Sequence, residues 1–232
     1  SYVKAKSSEK NIHPEFVAAV IDEVAADDAI FTVDTGMSAV WAARYIKGGR
    51  DRYLTGSFNH GSMANAMPMA IGASLSRPDR QVIALCGDGG ITMLLGDLMT
   101  ISQYDIPVKI VVFNNRSLGM VKLEMNVAGY PDWQTDMENP DFAQVAQAMN
   151  IASWNVEQCE NVEPTLKKAF AHKGPALINI FTDPEALAMP PKVSFEQVKG
   201  FATSMGKMML NGQSAEVIDT AKSNLKYLRE LF

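Results

Sequence analysis

Five nearly continuous apolar runs constrain the fold of this chain more than any other feature of its sequence. Residues 81–86 read Gln-Val-Ile-Ala-Leu-Cys, and residues 107–113 read Pro-Val-Lys-Ile-Val-Val-Phe. Apolar runs of this length, without strict alternation, are typical of strands buried on both faces of a sheet. The other three runs are residues 29–33, 151–156 and 175–181. Segments with helical spacing separate the runs, so the sequence predicts an α/β fold: a doubly wound, mostly parallel sheet with helices on both faces.

Composition limits the classes of protein that fit this chain. Its 232 residues, 47% hydrophobic and 20% charged, suffice for one large domain and an appended tail. A net charge of −5 argues against nucleic acid as a partner. The two cysteines, Cys86 and Cys159, have no metal-binding spacing, so we expect reduced thiols. The sequence has no apolar run long enough to span a bilayer and no signal peptide at its start, so we expect a cytoplasmic location.

The chain is predicted to have three parts. Residues 1–11 are polar and are interpreted as a linker, residues 12–186 carry the strands and helices of the sheet domain, and residues 187–232 form a C-terminal amphipathic helical tail. Apolar residues of the tail recur at helical spacing from Val198 to Met209 and from Val217 to Phe232. Such stripes fit helices packed on a neighbouring domain or subunit, and they also fit a helix that lies on a bilayer surface.

A Gly-Asp-Gly sequence, Gly87, Asp88 and Gly89, directly follows the apolar run of residues 81–86. A turn of this kind presents backbone N–H groups and one carboxylate at the end of a strand, where a diphosphate and its divalent cation could both bind. Asn115 follows the next strand and can supply a second oxygen ligand, and the backbone carbonyl of Ser117 a third. Oxygen-only donors suit Mg²⁺ or Ca²⁺. An ordinary turn followed by an ordinary loop is the alternative interpretation.

A second loop of small residues follows the apolar run of residues 29–33. It contains Thr35, Gly36, Met37 and Ser38, and a helical pattern begins after it. Free N–H groups between a strand and a helix can contact phosphate, although many such loops bind nothing.

At the Gly-Asp-Gly sequence and the Asn114-Asn115 pair, the chain resembles the thiamine diphosphate enzymes, whose cofactor-anchoring motif has the same order and spacing. The resemblance implies that Met63 supports the thiazolium ring from below, and that the carbonyl of Gly61 accepts a hydrogen bond from the aminopyrimidine. From the residues alone, the default interpretation of the region around Met63 is a tightly packed loop and helix whose methionines fill core gaps. His60 is a structural histidine or a proton shuttle.

Together these arguments yield a set of candidate site residues. The predicted cation ligands are Asp88, Asn115 and Ser117. Glu124 is the catalytic candidate, as a carboxylate that lines the substrate cavity, and a solvated surface carboxylate is the equal alternative. The candidate cofactor-binding residues are Thr35, Gly36, Met37, Ser38, Gly61, Ser62, Met63, Gly87, Asp88, Gly89, Gly90, Asn115, Ser117, Leu118, Gly119 and Met120.

Within that family, softer sequence strings resemble the flavin-containing, quinone-reducing pyruvate oxidases. These strings are residues 40–45, 60–68, 108–115, 189–191 and 200–201. The resemblance implies thiamine diphosphate, Mg²⁺ and FAD as cofactors, with FAD held mostly by a domain absent here. It implies oxidative decarboxylation of pyruvate to acetate and carbon dioxide, with electrons passed to FAD and then to quinone. It also implies a homo-oligomer, expected to be a tetramer, whose tail engages the inner face of the cell membrane. Resembling enzymes often carry Phe at the position of Met120.

The resemblance also implies what is missing. These enzymes need a glutamate from a separate pyrimidine-binding domain, so we expect the isolated chain to be a fragment without activity. Another thiamine diphosphate lyase, such as acetolactate synthase or a 2-oxoacid decarboxylase, is the nearer alternative. A noncatalytic phosphate- or nucleotide-binding module on the same kind of sheet is the alternative from a different class.

Overall fold

The computed structural model describes residues 11–49, 51–186 and 194–224. The chain divides into two compact units. Of the described residues, the first unit comprises those up to Asn115 together with Glu138–Thr182, and the second comprises Arg116–Met137 and those from Asp183 onward. The prediction of a domain boundary between residues 186 and 187 stays a prediction.

The elements alternate along the chain as the apolar runs predict. They are α1 (Pro14–Val24), β1 (Ile30–Val33), α2 (Met37–Tyr45), β2 (Tyr53–Gly56), α3 (Ala66–Ser76), β3 (Val82–Gly87), α4 (Asp88–Met93), α5 (Asp97–Gln103), β4 (Lys109–Asn114), α6 (Gly119–Val127), α7 (Phe142–Ala148), β5 (Ala152–Val156), α8 (Val162–Ala171), β6 (Ala176–Phe181), α9 (Phe195–Leu210) and α10 (Ser214–Ser223).

All six strands lie in one parallel sheet of the first unit, in the order β2-β1-β3-β4-β6-β5. The chain moves outward from β1 to β2 and then crosses back to β3, so the direction of winding changes between β1 and β3. In open α/β sheets, ligands bind outside the carboxyl ends of the strands at such a switch point. The fold therefore marks the ends of β1 and β3, at Val33 and Gly87, as the place to look for a site.

Both faces of the sheet are buried. Cys86 of β3, Ile110 of β4 and Leu177 of β6 belong to one apolar cluster, which also includes residues of α3, α4, α5 and α7. Alternate strand residues point to the opposite face. On that face Leu85 is fully buried, and α2 and α8 contact the sheet while α1 packs on both of those helices. The doubly wound α/β fold is confirmed. Both cysteines lie within the described residues and are buried free thiols, as predicted.

The structure differs from the sequence prediction in two places. The edge strand β2 was not predicted, because a four-residue, partly exposed strand has no apolar run to mark it. The sequence also predicts a single helix over residues 92–103, and this prediction is wrong: α4 begins at Asp88, directly after β3, and a turn at residues 94–96 separates it from α5. A strand that passes straight into a helix leaves no room for the separate turn that a Gly-Asp-Gly sequence indicates.

The second unit is helical and includes α6, α9 and α10. Ser194 and Gln197 form a reciprocal capping box at the start of α9, which fixes where that helix begins. At Gly200 the helix α9 crosses the end of α6 so closely that an added Cβ would lie 2.0 Å from the carbonyl oxygen of Val127. The predicted tail stripes coincide with α9 and with α10. Residues 187–193 and 225–232 of the predicted tail lie outside the described residues.

None of the helices in the described ranges combines the length and the apolar character that crossing a bilayer requires.

Candidate functional site at the ends of strands β1 and β3

Asp88 occupies the central position of the site, because it is the first residue after β3. The residue is 3% exposed. Its Oδ1 accepts a hydrogen bond of 2.9 Å from the N–H of Gly89, and its Oδ2 accepts one of 2.8 Å from the side-chain amide of Asn139. Two donors thus hold both carboxylate oxygens in place.

The Asn114-Asn115 pair ends the neighbouring strand. Gly87 of β3 pairs with Phe113 of β4, so Asp88 and Asn115 both follow adjacent parallel strands at the same sheet edge. Asn114 is buried, its Oδ1 accepts from the Asn139 amide at 2.9 Å, and its own amide donates to Asn179 Oδ1 at 3.0 Å. Asn114 is therefore committed to the protein interior, and the half-buried Asn115 is the member of the pair nearer to solvent.

Asp34 is the residue of this site that the sequence argument missed. It directly follows β1, it is 1% exposed, and its Oδ1 accepts a hydrogen bond of 2.8 Å from the N–H of Ala66 at the start of α3. Burial raises the pKa of Asp34 to about 6, and the backbone N–H groups of Ala66, Gly87 and Asn65 oppose that rise. The Asp34 carboxylate thereby connects the loop after β1 to the end of β3 and to the loop before α3. Its position one residue after a predicted strand, like that of Asp88, was the signal available in the sequence.

The loop that contains Gly61 and Met63 is anchored by Ser57. The N–H of Gly61 donates to the carbonyl of Ser57 at 2.8 Å, and Gly61 has a φ of +63°, which favours glycine. The side chain of Thr35 donates to the same carbonyl at 3.5 Å. Met63 is 38% exposed, so its own side chain does not fill a core gap, whereas Met67 of α3 is 2% exposed and lies in the core as the alternative interpretation predicts.

The loop after β1 leads into α2. Gly36 precedes that helix with a φ of +134°, and within the described residues no side chain caps the first turn. The first N–H groups of α2 therefore remain available at the same sheet edge as Asp34. Ser38 is buried, and its hydroxyl donates to the carbonyl of Asp34 at 3.1 Å. The Ser38 side chain thus holds this loop to the end of β1.

The remaining predicted residues, Ser117 to Glu124, lie in the second unit. There the N–H of Met137 donates to the carbonyl of Arg116 and that of Leu118 donates to Thr135, which closes residues 116–137 into a loop. Ser117 and Gly119 are buried in that unit, and Leu118 and Met120 are half-buried. Glu124 is exposed on α6, in agreement with the alternative of a surface carboxylate.

The donor chemistry at this sheet edge fits a hard divalent cation. Within the part of the chain that the structure describes, no three His, Cys, Asp or Glu side chains form a metal-binding group. The predicted ligands are instead one carboxylate, one amide oxygen and one backbone carbonyl. A set with so few charges suits Mg²⁺, which keeps waters and shares its coordination with substrate or cofactor phosphates.

Comparison with known proteins agrees with this geometry. Residues 34–180 match the family model described as thiamine pyrophosphate enzyme, C-terminal TPP binding domain. The match begins at Asp34 and ends at Ile180, in the last strand of the sheet. It therefore includes the ends of β1 and β3 and the Asn114-Asn115 pair.

Individual relatives cover this chain but are much longer than it. The Bacillus subtilis protein YdaP, whose name calls it thiamine pyrophosphate-containing, is 35% identical over 221 residues, which is 95% of this chain and 38% of YdaP. A probable acetolactate synthase large subunit of Methanocaldococcus jannaschii is 37% identical over 71% of this chain and 28% of its own length. Acetolactate synthase 1 of Zea mays chloroplasts is 31% identical over 80% of this chain and 30% of its own. The chain belongs to the thiamine pyrophosphate enzyme family and contains its C-terminal TPP-binding domain.

Proposed function

We propose that this chain supplies the cation- and diphosphate-binding part of an enzyme that acts on pyruvate. Asp88, Asn115 and the carbonyl of Ser117 hold Mg²⁺. Backbone N–H groups of the loop before α2 and of Gly90 contact the diphosphate, while the N–H of Gly89 holds Asp88. The observation that carries the proposal is the position of Asp88, buried and doubly hydrogen-bonded at the switch point of the sheet.

The chain's own residues position the cofactor, and the cofactor, when bound, supplies a carbanion that attacks a keto carbon. The exposed Met63 supports the thiazolium ring of the cofactor, and the carbonyl of Gly61 accepts a hydrogen bond from the amino group of its aminopyrimidine ring. The glutamate that the cofactor needs comes from a part of the protein outside this chain, so the isolated chain has no activity of its own.

The names of the relatives favour condensation of pyruvate to acetolactate as the reaction. Acetolactate synthases of an archaeon, red algae and a plant match between 71% and 80% of this chain. This support favours the carboligation reaction over the pyruvate oxidase reaction that the softer sequence strings indicate.

Oxidative decarboxylation with FAD and quinone remains the second candidate. The specific observation for it is that the match to YdaP spans 95% of the chain, more than any of the acetolactate synthases cited above. A match of that length extends into the tail, where the resemblance to pyruvate oxidases includes residues 189–191 and 200–201. In this second proposal the protein is a homotetramer at the inner face of the cell membrane, where its tail contacts lipid.

Calorimetry on the natural full-length protein tests the shared part of the proposal. Thiamine diphosphate with Mg²⁺ is titrated into wild type, into Asp88→Asn and into Asp79→Asn, which removes an exposed carboxylate as the control. We expect Asp88→Asn to weaken Mg²⁺-dependent binding by at least about tenfold, because a metal ligand is lost. Equal binding by all three proteins contradicts the proposal. Binding of ATP in place of thiamine diphosphate supports the noncatalytic nucleotide-binding alternative.

Product analysis separates the two reactions. The full-length protein is incubated with pyruvate without oxygen, and acetolactate, acetate and the absorbance of bound flavin are measured. Acetolactate without flavin bleaching supports carboligation. Acetate with flavin bleaching, followed by recovery of the flavin absorbance on addition of quinone, supports the oxidase. Consumption of pyruvate without either product indicates a 2-oxoacid decarboxylase and contradicts both candidates.

A further inference from the structure

Asn139 joins two predicted elements of the site through one amide group. Its side-chain nitrogen donates to Asp88 Oδ2 at 2.8 Å and to Asn114 Oδ1 at 2.9 Å. A side-chain amide has two hydrogens, so these two bonds use both of its donors. Asn139 lies 51 residues from Asp88 and 25 from Asn114 in the chain. The strands β3 and β4 pair with each other through their own backbone groups. The bonds of Asn139 therefore serve the two side chains and not the strand pairing.

The same hydrogen-bond chain continues across the sheet on side chains alone. Asn114 donates to Asn179 at 3.0 Å, Asn179 donates to Asn155 at 2.8 Å, and Asn155 donates to Asp141 at 2.8 Å. We call the row Asp88, Asn139, Asn114, Asn179, Asn155 and Asp141 the amide ladder. Asn179 and Asn155 face each other directly on paired strands β6 and β5. The amide ladder thus runs from the end of β3 to the far edge of the sheet.

Each end of the amide ladder is a carboxylate with further donors. Asp141 precedes α7 and accepts from the N–H of Gln144 at 3.0 Å. Although partial burial acts to raise it, the hydrogen bonds from Gln144 and Asn155 hold the pKa of Asp141 below its ordinary value. Every amide in the row donates toward its neighbour, and the two inner ones, Asn114 and Asn179, are almost completely buried. Hydrogen bonds thus run outward from Asn139 in both directions, to Asp88 at one end and through the other amides to Asp141 at the other. This fixed order of donors and acceptors restrains the rotamers of the members.

Simple packing does not explain such a row. Apolar side chains would fill the same positions without the cost of burying amides, and apart from Lys109 the other positions of β4 and β6 are apolar. Asn139 Oδ1 is moreover buried and has no hydrogen-bond partner among the described residues, which costs stability. Asn139 has this unfavourable burial of Oδ1 and still donates a hydrogen bond to Asp88, which indicates that its function is to orient the Asp88 carboxylate.

We propose that Asn139 is a positioning residue for the cation site: through its two hydrogen bonds it holds the Asp88 carboxylate in the orientation that receives the cation. It also donates to the side-chain oxygen of Asn114 and so ties the two strand ends together. Hydrogen bonds to ligating carboxylates tune metal affinity in this way in other proteins. The inference rests on the proposed function, since it needs a cation at Asp88.

The test compares Asn139→Ala with Ser153→Ala in the natural full-length protein. Ser153→Ala removes a buried hydrogen bond of 2.7 Å to the carbonyl of Ala143 in the same unit, and this bond is not one of those that link the amide ladder. Mg²⁺ affinity is measured by calorimetry at saturating thiamine diphosphate, and the midpoint of thermal unfolding is measured without metal. We expect Asn139→Ala to weaken Mg²⁺ binding by about tenfold. Ser153→Ala is expected to lower the midpoint and leave the affinity unchanged.

A second variant keeps the inference testable if Asn139→Ala does not fold. Asn139→Asp has the same shape but faces Asp88 with a second carboxylate, so the two charges repel until a cation neutralises them. We expect a lower unfolding midpoint without metal and a larger rise on addition of Mg²⁺ than in wild type. Unchanged Mg²⁺ affinity in Asn139→Ala, or an unchanged Mg²⁺-induced rise in Asn139→Asp, overturns the inference. Absence of Mg²⁺ binding in the wild type would instead overturn the proposed function.

Discussion

Gly90 lies so close to Asp34 that a Cβ added to Gly90 would meet Asp34 Oδ2 at 2.1 Å. This contact joins the helix that begins at Asp88 to the carboxylate that ends β1. Asp34 cannot retreat freely, since its other oxygen accepts from the N–H of Ala66. The closeness of the two loops at the switch point therefore depends on a glycine at this position.

Gly90→Ala is expected to destabilise the protein by about 2 kcal/mol, because an added methyl group in a packed interior displaces its neighbours. We also expect weaker binding of thiamine diphosphate, since Asp88 and Gly89 move with Gly90. Thermal unfolding and calorimetry measure the two effects. The control is Gly72→Ala in α3, where an added Cβ meets nothing within 4 Å. That variant should be as stable as wild type or more stable. Equal behaviour of the two variants would refute the argument from the Asp34 contact.

Asp34 is expected to make the stability of the protein depend on pH. Its native pKa of about 6 lies above the value of about 3.9 for an unfolded chain, so the native state binds the proton more tightly. The stabilisation is complete below the unfolded pKa and is lost as the pH rises through about 6. We expect wild type to lose about 1 kcal/mol between about pH 5 and pH 8 relative to Asp34→Asn. Denaturant titrations at both pH values measure the difference, and parallel curves would contradict the prediction.

Two glycines of α9 are predicted to respond to alanine in opposite ways. A Cβ at Gly200 would lie 2.0 Å from the carbonyl oxygen of Val127, and backbone atoms cannot move aside as a side chain can. Gly200→Ala should therefore destabilise the second unit by about 2 kcal/mol. Gly206 has open space around it in the same helix, so Gly206→Ala should stabilise α9 by about 0.5–1 kcal/mol. Amide hydrogen exchange of α9 measures both effects, and faster exchange in Gly206→Ala would count against this account.

A buried ion pair in the second unit yields the fourth prediction. Lys122 and Glu185 are 2.9 Å apart and largely buried, and Glu185 also accepts from Thr220 of α10. Burial alone would lower the pKa of Lys122, but Glu185 and Asp132 raise it above its ordinary value. Lys122→Ala leaves a buried carboxylate without its partner and should cost about 3 kcal/mol.

The matched control for that prediction is Lys167→Ala, which breaks an exposed pair with Glu163 on one helix face. Its cost should be only about 0.3–0.5 kcal/mol, because solvent screens the exposed charges. Thermal unfolding compares the two variants. Similar losses of stability in both variants would show that burial does not increase the contribution of the Lys122–Glu185 ion pair.

The sequence by itself determined the class of fold, the five main strands and the residues that end them. Each of these follows from local pattern: a strand buried on both faces needs a continuous apolar run, and the run must end where the chain meets solvent. The Gly-Asp-Gly and Asn-Asn motifs were readable for the same reason, since each directly follows such a run. The short edge strand β2 was not readable, because Tyr53 and Leu54 are exposed there and leave no apolar signal.

Only the tertiary structure decided which distant residues serve the site. Asp34 follows a predicted strand and Asn139 lies in a predicted loop, but neither position reveals its partner. Asp34 accepts a hydrogen bond from Ala66, and Asn139 donates to Asp88 from 51 residues away. The order of the strands determines these contacts, because it places β1 beside β3 and β3 beside β4. Strand order depends on packing of the whole sheet and leaves no trace in any single segment. Side-chain hydrogen bonds between loops therefore become visible only after the sheet is assembled.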